Sequence, residues 1–81
     1  MLKIYGSMLC KDCIACREAL DRARIAYEFL DFASELSNLK EFLKIRDTND
    51  LFIPVKQEGQ IGIPCIVRED RSVTLDWESV L

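Results

Sequence analysis

The sequence contains no histidine, which excludes both a histidine general base and a mixed cysteine–histidine zinc site. Its three glycines form no phosphate-binding motif. No apolar stretch approaches the roughly 20 residues that a membrane-spanning helix needs. Lys3 interrupts the first apolar run, and no small-residue cleavage site follows it. We therefore expect no secretory signal peptide, no membrane partner and a cytoplasmic location.

Positive charge is scattered and is outweighed by acidic residues. Eleven lysines and arginines face 14 acidic residues, and the net charge of −3 argues against nucleic acid as a partner. A chain of 81 residues predicts one domain, spanning residues 1–81, and the hydrophobic content of 49% is enough for a single core. Because the cytosol keeps thiols reduced, the four cysteines indicate catalysis or metal binding rather than structural disulfides.

The chemistry of the chain is concentrated in Cys10-Lys11-Asp12-Cys13, which follows the apolar run Leu2–Tyr5 and opens a predicted helix. Unpaired backbone N–H groups and the helix dipole both stabilise a thiolate at a helix start, and the thiolate is the reactive form of cysteine. Lys11 favours the anion and Asp12 opposes it. A second thiol one turn later can attack a disulfide formed on the first. Two structural cysteines or half of a zinc site are the alternatives.

Hydrophobic periodicity predicts alternating strands and helices along the chain. The second helix has Ser34 as its N-cap. Its predicted buried face is Leu36, Leu39, Phe42, Leu43 and Ile45. The predicted elements are a strand at 1–5, a helix at 13–25, a strand at 26–32, a helix at 34–46, a short helix at 51–56 capped by Asn49 or Asp50, and strands at 65–67 and 73–75. The residues after 75 can form at most one further helical turn.

This order, with C-x-x-C after the first strand and Ile63-Pro64 before the third, resembles the thioredoxin fold and more closely its glutaredoxin branch. Gly62-Ile63-Pro64 is similar to the segment of that family that carries a cis-proline, and Tyr27–Asp31 is similar to its second strand. The resemblance implies an α/β, thioredoxin-like fold, β-α-β-α-β-β, with a four-stranded mixed sheet. An extra short helix would precede the third strand, and the usual final helix would be largely absent.

The resemblance also implies a thiol–disulfide oxidoreductase. Cys10 would attack a substrate disulfide, and Cys13 would resolve the mixed disulfide. Pro64 would pack beside the pair, and the Ile63 backbone could pair with a bound peptide or thiol. The expected partners are a disulfide-containing protein or small thiol, and a dithiol or reductase as electron donor. No resident cofactor is expected.

Substrate contacts are also expected from Lys11 and from the loop before Cys10. Met8 and Leu9 are apolar residues in a loop, which indicates either a docking surface or ordinary loop packing.

Three positions differ from the usual glutaredoxin pattern and predict weak use of glutathione. Lys11-Asp12 stands where Pro-Tyr is usual, and Ser7 replaces a common lysine. Thr74-Leu75 carries side chains where a Gly-Gly pair would let a ligand approach the backbone. Lys11 and Arg68 are the nearby cations in the sequence that could compensate.

Cys16 and Cys65 are predicted to be buried packing residues, because small buried thiols behave as hydrophobes. Cys16 extends the motif to Cys10-x-x-Cys13-x-x-Cys16, but the ferredoxin pattern needs a fourth cysteine and a proline, and Leu20-Asp21 stands there instead. Two other functions remain open. One is a metal or iron–sulfur site built from some of the four cysteines, within one chain or between two subunits. The other is a non-catalytic adaptor that binds its partner through Met8 and Leu9.

Overall fold

The computed structural model describes all 81 residues, which build a four-stranded mixed sheet and three α-helices. The elements are β1 (Leu2–Gly6), α1 (Lys11–Arg22), β2 (Tyr27–Asp31), α2 (Leu36–Thr48), a 3₁₀ helix (Asp50–Phe52), α3 (Ile53–Gln57), β3 (Cys65–Val67), β4 (Val73–Thr74) and a terminal 3₁₀ helix (Trp77–Val80). The predicted mixed α/β architecture is confirmed, including a short helix before β3 and a single turn at the end. None of the helices is both long and apolar enough to cross a membrane.

The sheet has the strand order β2-β1-β3-β4. β1 and β2 run parallel, with Ile4 opposite Phe29, whereas β3 pairs antiparallel with both β1 and β4. The carboxyl ends of β1 and β2 therefore lie side by side. The amide of Phe32, just past β2, donates to the carbonyl of Gly6 at 3.0 Å and extends this pairing.

Each face of the sheet carries its own apolar cluster, because successive side chains of a strand point to opposite faces. Ile4 and Tyr5 are neighbours in β1 but belong to different clusters. The first cluster joins the sheet to α1 through Ile4, Cys16, Leu20 and Ile66. The second joins the sheet to α2 and the 3₁₀ helix through Tyr5, Phe42, Phe52 and Cys65. The two central strands are thus covered on both sides.

Helix α1 ends at Arg22, three residues before the predicted end. Arg24 adopts the left-handed conformation, with φ of 58°. The amide of Ile25 then donates back to the carbonyl of Leu20 at 3.0 Å, which satisfies a carbonyl of the last turn. The chain is thereby turned out of the helix and into β2.

Helix α2 corrects two of the predictions. Glu35, not Ser34, occupies the N-cap position, and the Ser34 hydroxyl instead donates to the carbonyl of Asp31 at 3.2 Å. Leu36 and Leu43 were predicted to be buried but are exposed. The helix buries Asn38 instead. The side-chain amide of Asn38 donates a hydrogen bond to the backbone carbonyl of Asp31 at 3.0 Å, and this contact fixes the rotation of α2 against the sheet.

Candidate functional site

Cys10 is the N-cap of α1, as its predicted position at the helix start requires. Its backbone is extended, with φ of −95° and ψ of 121°, and its carbonyl accepts the first helical hydrogen bond from Ile14 at 3.1 Å. The Cys10 sulfur accepts a hydrogen bond from the Cys13 amide at 3.4 Å. A thiol in this position receives the backbone N–H groups that the helix leaves unpaired, and it remains partly exposed.

Cys13 lies one turn along α1 and has no solvent-exposed surface. Its sulfur packs over Gly6, where an added Cβ atom would come within 2.6 Å of it. Burial, and after it the neighbouring Cys10, raises the pKa of the Cys13 thiol to about 12, although the Ser7 backbone amide acts in the opposite direction. Cys13 is therefore a protonated, hidden thiol beside an accessible one.

An open cleft of about 750 Å³ lies against Cys10. Three segments that are distant in the chain form it: the loop into α1, the residues just past β2 and the segment before β3. Its lining residues are Ser7, Leu9, Cys10, Asp12, Phe32, Ala33, Gly59, Gln60, Ile61, Gly62 and Ile63. The walls contain one acidic side chain and no lysine or arginine.

The far wall of the cleft, residues 59–63, is held in place by contacts with α2 and the 3₁₀ helix. The Arg46 guanidinium donates to the carbonyls of Ile61 at 2.9 Å and Gln60 at 2.8 Å. Gly62, with φ of 95°, lies so close to the Phe52 ring that a Cβ atom would meet it at 2.8 Å. The Ile63–Pro64 peptide bond is cis, which confirms the sequence prediction.

Leu9 and Ile63 are the predicted substrate-binding residues that the structure brings to the cleft beside Cys10. Pro64 is buried, and Lys11 is exposed outside the walls. Met8 also lies outside them, since its sulfur accepts a hydrogen bond from Arg17 at 2.8 Å. The two apolar residues of the loop before Cys10 therefore differ in position: Leu9 lines the cleft, whereas Met8 contacts Arg17 of α1.

Phe32, Ala33 and the segment from Gly59 to Gly62 were not predicted as site residues. A signal for Phe32 and Ala33 is present in the sequence, because the carboxyl ends of neighbouring parallel strands meet at one edge of a sheet. Cys10 follows β1 and Phe32 follows β2. The pair of glycines at 59 and 62, both with positive φ, marks the other wall.

Cys16 and Cys65 are both fully buried, as predicted. Cys16 belongs to the cluster under α1, and Cys65 lies on the opposite face of the sheet with Tyr5 and Phe42. Burial raises the pKa of Cys16 to about 11 and that of Cys65 to about 12. Within this chain no three cysteine, aspartate or glutamate side chains converge in a way that could hold a metal ion. A metal site would need ligands from a second copy.

A protein of Haemophilus influenzae, described as uncharacterized, is 33% identical to the chain over 73 residues, which cover 90% of this chain and 85% of the relative. The chain belongs to the family of that protein. No protein-family model matches the chain, and no solved structure matches it. Membership of this family does not by itself assign an activity.

The geometry provides a nucleophile, a neighbour that can react with it and a place for a partner. Cys10 is partly exposed at a helix N-terminus, and Cys13 is one turn away with its amide already directed at the Cys10 sulfur. A thiolate that attacks a disulfide forms a mixed disulfide, which a second thiol can displace. The two cysteines and the cleft are therefore arranged for two-step thiol–disulfide exchange.

Proposed function

We propose that the chain is a thiol–disulfide oxidoreductase with a thioredoxin-like fold, resembling glutaredoxins. The observation that carries the proposal is the pairing of an accessible N-cap thiol, Cys10, with a buried thiol, Cys13, beside an open cleft. The strand order and the Ile63-Pro64 segment before β3 support the same assignment. The lack of three convergent ligands makes a metal site within one chain the weaker alternative.

The reaction has two displacement steps. In the first, the Cys10 thiolate attacks one sulfur of the substrate disulfide, the substrate S–S bond breaks, and the leaving sulfur takes up a proton. In the second, Cys13 loses its proton and attacks the Cys10 sulfur, which releases the second substrate thiol and forms the Cys10–Cys13 disulfide. The substrate gains two electrons and the cysteine pair loses two. An external dithiol or a reductase then reduces the pair.

The order of the two steps follows from the environment of Cys13. Cys10 raises the pKa of Cys13 both by hydrogen bonding and by charge, and the Ser7 amide lowers it. Burial, the largest cause of the raised Cys13 pKa, keeps this thiol protonated and hidden while Cys10 attacks the substrate. Once Cys10 is bonded to a substrate sulfur, its charge no longer raises the Cys13 pKa, and the Ser7 amide still favours the Cys13 thiolate.

We expect glutathione to be a poor partner for this cleft. Its two carboxylates require cationic or backbone donors, and charge-assisted hydrogen bonds are roughly twice as strong as neutral ones. The cleft walls contain no lysine or arginine, and they contain Asp12. We expect slow turnover in a glutathione-coupled assay and faster turnover with a neutral dithiol. Robust glutathione turnover that is lost in Lys11→Ala would contradict this expectation and assign Lys11 the missing charge.

The proposal is tested by trapping and labelling of the reduced protein. Iodoacetamide near neutral pH should label Cys10 first, with Cys16 and Cys65 labelled only after unfolding. Cys13→Ser should accumulate a mixed disulfide on Cys10, and Cys10→Ser should abolish exchange with 2-hydroxyethyl disulfide. Cys16→Ala is the matched control, since it removes a buried thiol of the same helix, and should stay within a few-fold of the parent protein.

Three outcomes would overturn the proposal. Preferential labelling of Cys13 or Cys16 would contradict the assigned roles. A bound metal or a visible chromophore in anaerobically purified protein, lost together with Cys16, would favour the metal or iron–sulfur site. If the protein exchanged with no disulfide, the result would favour the non-catalytic adaptor, whose partner would bind the exposed Met8 and Leu9.

A further inference from the structure

A second, smaller cavity adjoins the cleft beside Cys10. Its volume is about 270 Å³, and its lining residues are Phe32, Leu39, Phe42, Leu43, Arg46 and Ile61. Phe32 and Ile61 also line the larger cleft. The two cavities therefore share a boundary, and a molecule bound at Cys10 can extend over Phe32 and Ile61 into the space in front of α2.

The surface around this boundary is apolar and exposed. Leu9 is 94% exposed, Ile61 57% and Leu43 38%. These side chains do not contribute to the two core clusters. A partner that covers them would gain about 25 cal/mol of binding free energy for each Å² of apolar surface removed from water. An apolar surface beginning at a reactive thiol favours a partner that brings apolar groups together with its disulfide.

The charges around the two cavities disfavour an anionic occupant of the larger cleft. Arg46 is the one cation among the lining residues, and its guanidinium already donates to the carbonyls of Gln60 and Ile61. Asp12 is the one charged side chain of the larger cleft, and the chain carries a net charge of −3. A ligand with carboxylates would meet Asp12 in the larger cleft, whose walls carry no lysine or arginine.

On the basis of the proposed function, we infer that the smaller cavity is a subsite for an apolar side chain of a peptide or protein substrate, near the cysteine whose disulfide Cys10 attacks. The substrate class is then a disulfide in a neutral or basic, apolar stretch of polypeptide. Leu43 and Ile61 at the mouth, with Phe32 and Leu39, are the specificity-determining residues.

The test uses neutral peptides, each with one cysteine joined to 2-thiopyridine as a mixed disulfide. Attack of the Cys10 thiolate on the peptide sulfur breaks that S–S bond, forms the peptide–Cys10 disulfide and releases 2-thiopyridine, which takes up a proton and absorbs light. One leucine is moved stepwise along both flanks of the cysteine in an otherwise serine and alanine peptide. Each rate is divided by the rate with 2-hydroxyethyl disulfide, which cannot reach the subsite.

One leucine position should raise the normalised rate about tenfold, which corresponds to about 1.4 kcal/mol, because a leucine side chain leaves water there. Aspartate at that position should remove the gain. Leu43→Ser should abolish the leucine preference, and Leu43→Trp, which fills the cavity, should abolish it as well. Leu36→Ser is the matched control, since Leu36 is an exposed leucine of the same helix that lines neither cavity.

Several results separate this inference from the proposed function. Reaction with 2-hydroxyethyl disulfide but equal rates for all leucine positions would overturn the subsite and leave the redox function intact. An equal loss of preference in Leu36→Ser would also overturn it. If sedimentation shows a dimer that Leu43→Ser dissociates, the surface belongs to a second copy of the chain. No reaction with any disulfide would overturn the redox function and the subsite together.

Discussion

Gly6 determines where the Cys13 thiol can lie. The Cys13 sulfur occupies the space that a side chain at position 6 would need, and the approach of 2.6 Å is far below van der Waals contact. The backbone of Gly6 is an ordinary part of β1 and does not have the left-handed conformation. Glycine is thus required here for space, in contrast to Gly62, whose positive φ also demands it.

Gly6→Ala should consequently displace the Cys13 thiol and slow its attack on a mixed disulfide at Cys10. The reduced variant should lose about 1–3 kcal/mol of unfolding free energy, as expected for an overpacked core, measured by urea unfolding. The mixed disulfide should accumulate in mass spectra of the turnover mixture.

A Cys13→Ala background supplies the control for Gly6→Ala. Removing the sulfur leaves the Phe29 ring as the nearest group, at an ordinary 3.4 Å. Alanine is favoured over glycine in a strand by roughly 0.5–1 kcal/mol, so the second substitution should be neutral or stabilising there. An equal loss of stability in both backgrounds would show that Cys13 is not the group displaced.

At the scale of the elements, α2 shows how far the sequence could predict the structure. The existence of the helix and the buried position of Phe42 were predictable from apolar spacing. The helix nevertheless directs Asn38 and Phe42 inward and leaves Leu36 and Leu43 outside. Asn38 is polar, so a hydrophobic pattern cannot identify it as buried, and the Asp31 carbonyl that satisfies it is contributed by β2.

The candidate site was also predictable only in part: the reactive cysteine could be located from the sequence, but the cleft beside it could not. The position of Cys10 at a helix start follows from local sequence alone. The cleft does not, because its walls come from segments on either side of α2 and their approach depends on Arg46 and Phe52. The contact of the Met8 sulfur with Arg17 of α1 could not be predicted for the same reason, because it joins the loop to a helix residue nine positions away.

Arg46 is the residue by which α2 holds the far wall of the cleft. Arg46→Met should release the carbonyls of Gln60 and Ile61, lower the unfolding free energy by about 1 kcal/mol and speed hydrogen exchange of the Gly62 and Ile63 amides. The apparent dissociation constant for peptide disulfides should rise more than the rate at saturation falls. Lys40→Met, on the same helix, is the control. Unchanged exchange at residues 60–63 would contradict the role of Arg46.

At the scale of the whole molecule, three of the four thiols are fully buried. Cys13, Cys16 and Cys65 have folded-state pKa values raised from 9.0 to between about 11 and 12, mainly by burial. The unfolded chain therefore loses these protons at lower pH than the folded chain. Stability from this source is complete below pH 9 and is lost as the pH rises toward the folded-state pKa values.

The reduced protein should become less stable between about pH 9 and pH 10, by about 1 kcal/mol for each buried thiol. Urea unfolding in the presence of a phosphine reductant measures this loss. Cys65→Ala should show a shallower pH dependence than the parent protein, whatever its stability at pH 8. Parallel curves for the two proteins would contradict the burial of the Cys65 thiol on the α2 face of the sheet.

The two faces of the sheet also restrict the order in which folding and oxidation can occur. Four cysteines can be fully paired in three ways, and each way joins Cys65 to one of the cysteines at 10, 13 or 16. Cys65 is enclosed on the α2 face, whereas Cys16 is enclosed under α1. A disulfide between Cys16 and Cys65 would have to join the two faces of the sheet, so a chain that forms it before folding cannot reach this fold until that bond is reduced.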